Sequence, residues 1–404
     1  MELAVGYKQT EVGVIPEDWE ERKLGSVCKL INGRGFKPYE WKDSGLPIIR
    51  IQNLNGSDDF NYFDGHYAKK LEIEPKQLLF AWSGSRGTSF GPHIWNGPLG
   101  LLNYHTWKVQ VDQRTISEKF FLHALKQLTK FIEEQAHGAA ALVHVQKWEM
   151  ETFKFPLPPT KAEQEVIAGA LSDADAWIES LEQLIAKKRR IKEGAMQTLL
   201  SGKKRLPGFS GEWEVKALGE IAKIVRGASP RPIEDPVWFD HNSPVGWVRI
   251  SDVTKSGIYL EETTQKLSQQ GIEHSRPVAS GNLIMSICAT VGRPIITRIN
   301  VCIHDGFVVF ENLKANQRFI YYILKAIEPK WSEHGQTGSQ MNLNTALING
   351  TIISLPDGAE QTAIAKILSD MDTEIDASEA KLSKARQIKQ GMMQELLTGK
   401  TRLV

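Results

Sequence analysis

The sequence predicts an α+β fold: two similar mixed α/β domains, separated by a pair of long antiparallel coiled-coil helices and related by pseudo-twofold symmetry. Three observations carry this: a gapless internal repeat, a heptad seam in each copy, and matching strand-like runs in the two halves. The implied boundaries are 1–155 and 204–354 for the globular domains, and 156–203 and 355–404 for the helices.

The repeat comes first. From Glu163 the chain reads EQEVIAGALSDADAWIESLEQLIAKKRRIKEGAMQTLLSGKKRL, and from Glu360 it reads EQTAIAKILSDMDTEIDASEAKLSKARQIKQGMMQELLTGKTRL. Roughly half of these positions are identical, with no gap. Shared helix propensity would not place Gly194 and Gly391, or Gln197 and Gln394, in register. Upstream, WEERKLGSVCKLING from Trp19 matches WEVKALGEIAKIVRG from Trp213 at Trp-Glu, Leu-Gly, an apolar run and a final Gly. The chain is a duplicated unit of about 200 residues, each copy a globular part followed by a helix.

The helices are read from spacing. Ile167, Leu171, Ala174, Ile178, Leu181 and Ile185 step by four and three, as do Ile364, Leu368, Met371, Ile375, Ser378 and Leu382. Prolines precede each helix (Pro156, Pro158, Pro159; Pro356), and Gly202 or Gly399 stops it. Each rod should be roughly 60 Å long. Lys188 and Ser378 interrupt the apolar seam, so neither helix should stand alone. The other copy is the nearest partner; pairing between two chains is the alternative.

The globular halves alternate strand and helix signals. PIIRIQNL (47–54) and GWVRISDV (246–253) are β-rich, each with an arginine followed by a polar pair. KQLLFAWSGSRG (76–87) and GNLIMSICATVG (281–292) are apolar strands running into small-residue loops. SEKFFLHALKQLTKFIEEQ (117–135) and NQRFIYYILKAI (316–327) have helical spacing.

Composition excludes more than it identifies. A chain of 404 residues suits two or three domains, and no run of some 18 apolar residues suggests a membrane span. The opening MELAVGYKQTEVG lacks the apolar stretch of a signal peptide. Cys28, Cys288 and Cys302 have no paired spacing, which argues against disulfides and zinc and suits a reducing compartment. The net charge of +1 does not announce nucleic acid.

The opening GYKQTEVGVIPEDWEERKLG, the join LPGFSGEWEVKALG, and the helix ends MQTLLSGKKRL and MQELLTGKTRL resemble those of Type I restriction-modification specificity subunits. The resemblance spans essentially the whole chain in the family's order. It implies that each globular half is a target-recognition domain reading one part of a split DNA sequence, with the helices as spacers that set the gap. It further implies double-stranded DNA as ligand, two methyltransferase subunits carrying S-adenosylmethionine, and restriction subunits carrying ATP and Mg. No cofactor, metal or membrane contact is expected on this chain, and the expected compartment is the cytoplasm.

The residues agree with a non-catalytic reading. There is no GxxxxGK[ST] loop, no GxGxxG loop opening a strand–helix unit, and no Asn-Pro-Pro-aromatic site. Asp58 or Asp59 with Glu74, Pro75 and Lys76 has the residue types of a nuclease metal site. Pro75 would disrupt the strand it needs, and Ala279 and Gly281 stand at the matching positions of the second half. The rival readings are a self-sufficient DNA nuclease or methyltransferase, and an assembly scaffold that never reads DNA.

Duplication also sorts the candidate DNA contacts. Residues shared by both halves cannot alone distinguish two half-sites, so those that differ are the candidate base readers. Arg50 with Gln52 and Asn53, and Arg249 with Ser251, lie in the β-rich runs; the structural alternative is an arginine tying strands together by a buried salt bridge. Arg34 and Lys37, and Arg226 and Arg231, lie in glycine-bearing loops where cations could meet phosphates and glycine allows close approach. Ser85 and Arg86, and Arg293, lie in non-equivalent loops suited to guanine edges. Gln336, Gln340, Asn342 and Asn344 form an amide-rich loop suited to adenine edges, although such loops are also plain turns. His105 and Asp305 hold matching places; a lone histidine beside aromatics reads as a packed, hydrogen-bonded core residue. The run KKRRIK (187–192) reads as a solvated helix face or a subunit contact rather than a DNA patch.

Overall fold

Alternating burial shapes each half, as the computed structural model shows for residues 5–135, 142–333 and 343–403. Gln336, Gln340 and Asn342 lie outside these described residues. The chain forms two units, Met1–Glu182 with Ala380–Val404, and Gln183–Glu379. In the first unit β1 (Cys28–Asn32), β2 (Leu46–Ile49), the helical turn α1 (Ile51–Leu54), β3 (Leu78–Ala81), β4 (Gly100–Leu102), β5 (Thr106–Val111) and α2 (Glu118–Gln135) precede the long α3 (Lys161–Leu199). Strand β5 lies antiparallel between β1 and β3, pairing Val109 with Leu30 and Trp107 with Phe80. Strands β2 and β4 pair in parallel, Leu101 opposite Ile48. The period of two is visible in β3: Leu78 and Phe80 pack with Phe120, Phe121 and Leu125 of α2, whereas Leu79 packs with Ile49, Trp95 and Leu102.

The second unit repeats the order with β6 (Lys223–Arg226), β7 (Gly246–Val248), α4 (Ile250–Lys255), β8 (Leu283–Ser286), β9 (Val301–Ile303), β10 (Phe307–Glu311), α5 (Gln317–Glu333) and α6 (Gly358–Leu396). Strand β10 pairs antiparallel with β6 and β8, and β7 pairs in parallel with β9. Leu283 and Met285 face Phe319 and Tyr322 of α5, while Ile284 faces Val248, Ile303 and Val309.

The β-rich runs around Arg50 and Arg249 are shorter than the sequence suggests. Each strand ends one residue before the arginine, which caps a helix instead. The Arg50 amide donates to Asn53 Oδ1 at 3.0 Å and the Arg249 amide to Asp252 Oδ2 at 2.9 Å, so a side-chain acceptor three residues on turns the chain out of the sheet.

Helices α3 and α6 each run 39 residues and end at glycines with positive φ, +68° at Gly202 and +70° at Gly399. In the first unit Glu182 meets Arg386 at 2.6 Å, Asp175 meets Lys389, and Glu163 meets Arg402. In the second Arg189 meets Glu379 at 2.6 Å, Lys188 meets Glu374 at 2.5 Å, and Arg205 meets Glu360 at 2.6 Å. Numbers rising along one helix meet numbers falling along the other, so the pairing is antiparallel and within one chain. Ile167, Leu171, Leu181 and Ile185 of α3, and Ile364, Leu368, Ile375 and Ala385 of α6, are buried. Ser378 is buried too, its hydroxyl donating to the Glu374 carbonyl at 2.7 Å. The KKRRIK run is therefore neither a bare solvated face nor a subunit contact throughout: Lys188, Arg189 and Lys192 engage acids of α6. Among the described residues no helix is long and apolar enough to cross a membrane.

Candidate nucleic-acid interface

Each unit has a cleft where the parallel strand pair ends. In the first, about 310 Å³, Arg50 and Gln52 at the start of α1 meet Asn103, Tyr104 and His105 from the β4–β5 turn, with Phe36 and Trp41 from the loop after β1. In the second, about 490 Å³, Arg249 and Ser251 at the start of α4 meet His304 and Asp305 from the β9–β10 turn, with Ser229, Arg231 and Ile233 from the loop after β6. The same three places in the fold supply both clefts.

The shared glycines make this possible. A Cβ on Gly33 would lie 2.0 Å from the Asn103 carbonyl oxygen, and one on Gly227 would lie 2.1 Å from that of His304. The close approach served by these glycines is thus to the chain's own turn, not to a phosphate, and it brings the cation-bearing loop against the cleft.

The helix caps aim the arginines. Asn53 and Asp252 are buried, and their side chains are occupied: Asn53 Nδ2 donates to the carbonyls of Ser57 and Asp59, and Asp252 Oδ1 accepts from Thr264 Oγ1 at 2.5 Å. Asn53 is therefore held inside the fold while Arg50 reaches over the Trp41 ring, 5.3 Å from its centre. The buried salt bridge considered for the arginines is not formed: among the described residues neither Arg50 nor Arg249 has an ion-pair partner. Gln52 is exposed and donates to the Asp59 carbonyl at 3.1 Å.

His105 is not the hydrogen-bonded core residue its surroundings suggest. It is half-buried with its Nδ1 unpartnered, and burial holds its pKa below the usual histidine range, so the ring is neutral at pH 7. Trp41 Nε1 and Arg50 Nε, in the same wall, are also buried without a partner. Buried polar atoms are nearly always paired, so three unpartnered ones in one wall mark unspent bonding capacity. In the second cleft Asp305 accepts from Ser229 Oγ at 2.8 Å, its carboxylate lies 3.5 Å from Arg231, and its main-chain oxygen accepts from Arg226 Nε at 2.6 Å. The Ser229 bond, with His304 and Arg231 nearby, holds the Asp305 carboxyl below the ordinary aspartate range, and so ionised.

The other predicted residues are placed elsewhere. Arg34 pairs with Glu40 and lies over the rings of Phe36 and Phe63, bracing the loop that carries exposed Lys37. Ser85 and Arg86 lie on an exposed loop at the end of the strand Ser83–Ser85. Arg293 lies half-buried beside β8, and the Asn344 side chain caps the helix Thr345–Asn349 by accepting from the Leu347 amide at 2.8 Å. Neither clefts' turn residues, Asn103, Tyr104 and His304, nor Trp41 and Ser229, were singled out from sequence as DNA contacts. The sequence match of His105 with Asp305 is one residue out: the Thr106 amide donates to the Asn103 carbonyl as the Phe307 amide does to that of His304, so Asp305 corresponds to Tyr104 and His105 to Gly306. Among the described residues no group of three His, Cys, Asp or Glu side chains is arranged to hold a metal.

The family model described as the Type I restriction modification DNA specificity domain matches twice, at residues 16–188 and 210–387. The chain is similar to the Type I restriction enzyme MjaVIII specificity subunit of Methanocaldococcus jannaschii, with 26% identity over 96% of this chain and 94% of that one. It is similar also to the EcoBI specificity subunit of Escherichia coli, with 20% identity over 92% of this chain and 83% of that one. Among solved structures, the Type I restriction-modification S subunit from M. genitalium shares the fold, with a TM-score of 0.61, 16% identity and 98% of each chain covered.

Proposed function

The chain belongs to the Type I restriction-modification DNA specificity family, and from that premise we propose that its two clefts each read one half of a bipartite DNA target. It is the sequence-specific recognition subunit of the complex, and the paired helices α3 and α6 set the gap between half-sites. The observation that carries this is the recurrence of one cleft in both halves with different linings. Arg50 and Arg249, shared by position, suit phosphate contacts that fix register; the side chains that differ around them suit base edges. The chain is non-catalytic: methyl transfer belongs to two methyltransferase subunits with S-adenosylmethionine, and cleavage to restriction subunits using ATP and Mg. The complex works in the cytoplasm, where the genome is.

The test is a genome-wide map of methylated adenines in cells carrying the methyltransferase subunits with this chain, without it, and with Arg50→Ala or Arg249→Ala. Deleting the chain should abolish a bipartite methylation pattern. Each arginine variant should weaken binding of its complex about 5- to 100-fold, as expected for one lost charged contact, without changing which bases are preferred. A methylation pattern that survives deletion of the chain would defeat the reading. So would methyl transfer or cleavage by the purified chain alone.

A further inference from the structure

The two clefts differ at the middle of the turn after the parallel strand, which carries Tyr104 in one and Asp305 in the other. A carboxylate is a poor neighbour for phosphates, yet the fold holds Asp305 in a cleft with Arg231 and Arg249. Ser229 occupies one position on Oδ1, and Arg231, at 3.5 Å, is too far for a good hydrogen bond. An ionised carboxylate offers about four acceptor positions, so most of its capacity remains open. The side chain is 45% exposed, and what it faces is the cleft. Tyr104, which holds the matching place in the first unit's turn, brings no carboxylate there.

We propose that Asp305 determines specificity in the second unit by accepting a hydrogen bond from an exocyclic amino group of a base, cytosine N4 or adenine N6, in the major groove. The inference rests on the reading of the clefts as half-site readers and names what one of them selects. Carboxylates suit amino donors because they only accept, whereas guanine O6 and thymine O4 are acceptors and would meet an unpaired lone pair. Ser229 positions the carboxylate by fixing Oδ1, while Oδ2, 3.5 Å from Arg231, keeps acceptor capacity for a base at the cleft.

The chemistry makes Asp305→Asn the informative change. Its carbonyl oxygen can keep the Ser229 bond, and its NH2 group then faces the groove as a donor. The experiment uses the complex of this chain with its methyltransferase subunits and competes the mapped target against duplexes altered one base pair at a time. In the unmodified complex one base pair of the second half-site should require an amino-bearing base. In Asp305→Asn a cytosine preference should fall at least about tenfold and move toward guanine, thymine or adenine, whereas an adenine preference should sharpen about tenfold because the amide reads N6 and N7 together, with the first half-site profile unchanged in either case. The cytosine and adenine duplexes tell the two donors apart. A uniform rise in affinity for every duplex is what a carboxylate that merely repels phosphate would give, and overturns the proposal. So does an unchanged profile. If the asparagine complex does not assemble, Ser229→Ala keeps the carboxylate but removes its support; it should relax discrimination at the same base pair, and full retention there counts against the idea. Failure of the unmodified complex to prefer any sequence would instead indict the reading of the clefts.

Discussion

His123 sits inside the first unit at 1% exposure, its Nε2 3.1 Å from Ser172 Oγ, with Lys126, Asp175 and Lys389 around it. Burial, seconded by the charge of Lys126, pushes its pKa down to about 4. Unfolded, the same ring titrates near 6.5, so as pH falls the unfolded chain takes up the proton first. The folded state therefore keeps full stability above about pH 6.5 and loses it progressively as pH drops toward 4, by up to about 3 kcal/mol. His123→Gln, which keeps a polar group facing Ser172, should flatten that part of the acid slope of denaturant unfolding between pH 6.5 and 4. Parallel slopes for the two proteins would show that this ring is not the one titrating. Residues of this kind were only partly legible in the sequence. Arg50 and Arg249 stood out because duplication put them in register, but no Ser, Thr, Asp or Asn stands at the cap position, so the helix start was hidden and the run read as strand. His105 reads as core because aromatics flank it in the sequence, and a three-residue turn has no periodicity to report which way its side chains face.

The long helices were the most legible elements, because proline, glycine and the heptad each mark them independently. Their charge pairing was not, since it joins residues far apart in sequence rather than neighbours on one helix. The two units even use the same device: Lys389 engages Asp175 as Lys192 engages Asp372, and the latter aspartate also accepts from Tyr322 at 2.7 Å. Lys192 and Asp372 are 21% and 16% exposed, so an unmatched charge there is poorly hydrated. Asp372→Lys should cost about 2–4 kcal/mol in urea unfolding of the second unit, and adding Lys192→Asp should restore about half of it. Strict additivity of the two single effects would mean that the pair does not interact across the helices. Cap, seam and stop were thus readable from one copy at a time; what holds the copies together needed both.

At the scale of the whole chain, the first unit is discontinuous, taking residues up to Glu182 and again from Ala380, while the second is the single stretch between, so each long helix is divided between the units. Glu182–Arg386 and Arg189–Glu379 lie on opposite sides of that exchange. A heptad placed in α3 alone would leave α6 too short to keep both pairs, so spacing must be changed in both helices. One heptad after Glu182 and one after Glu379 lengthen each helix by about 10 Å, which is about three base pairs at roughly 3.4 Å each. Methylation mapping should find both half-sites unchanged and the gap lengthened by about one to three base pairs, the twist of the duplex limiting the full step. Two-residue insertions, which break the seam, should abolish methylation. An unchanged gap with full activity would remove the helices from the role of spacer. The same exchange has a temporal side. A ribosome adding about 5–20 residues per second needs on the order of 10–40 s to travel from Glu182 to Arg402. For most of that interval Trp19 lacks the guanidinium that will cover it, Glu163 lacks its arginine and Asp175 lacks Lys389, and the second unit has all its residues once Glu379 is made, before Arg402 arrives. In this chain the unit that begins synthesis first is the one that closes last.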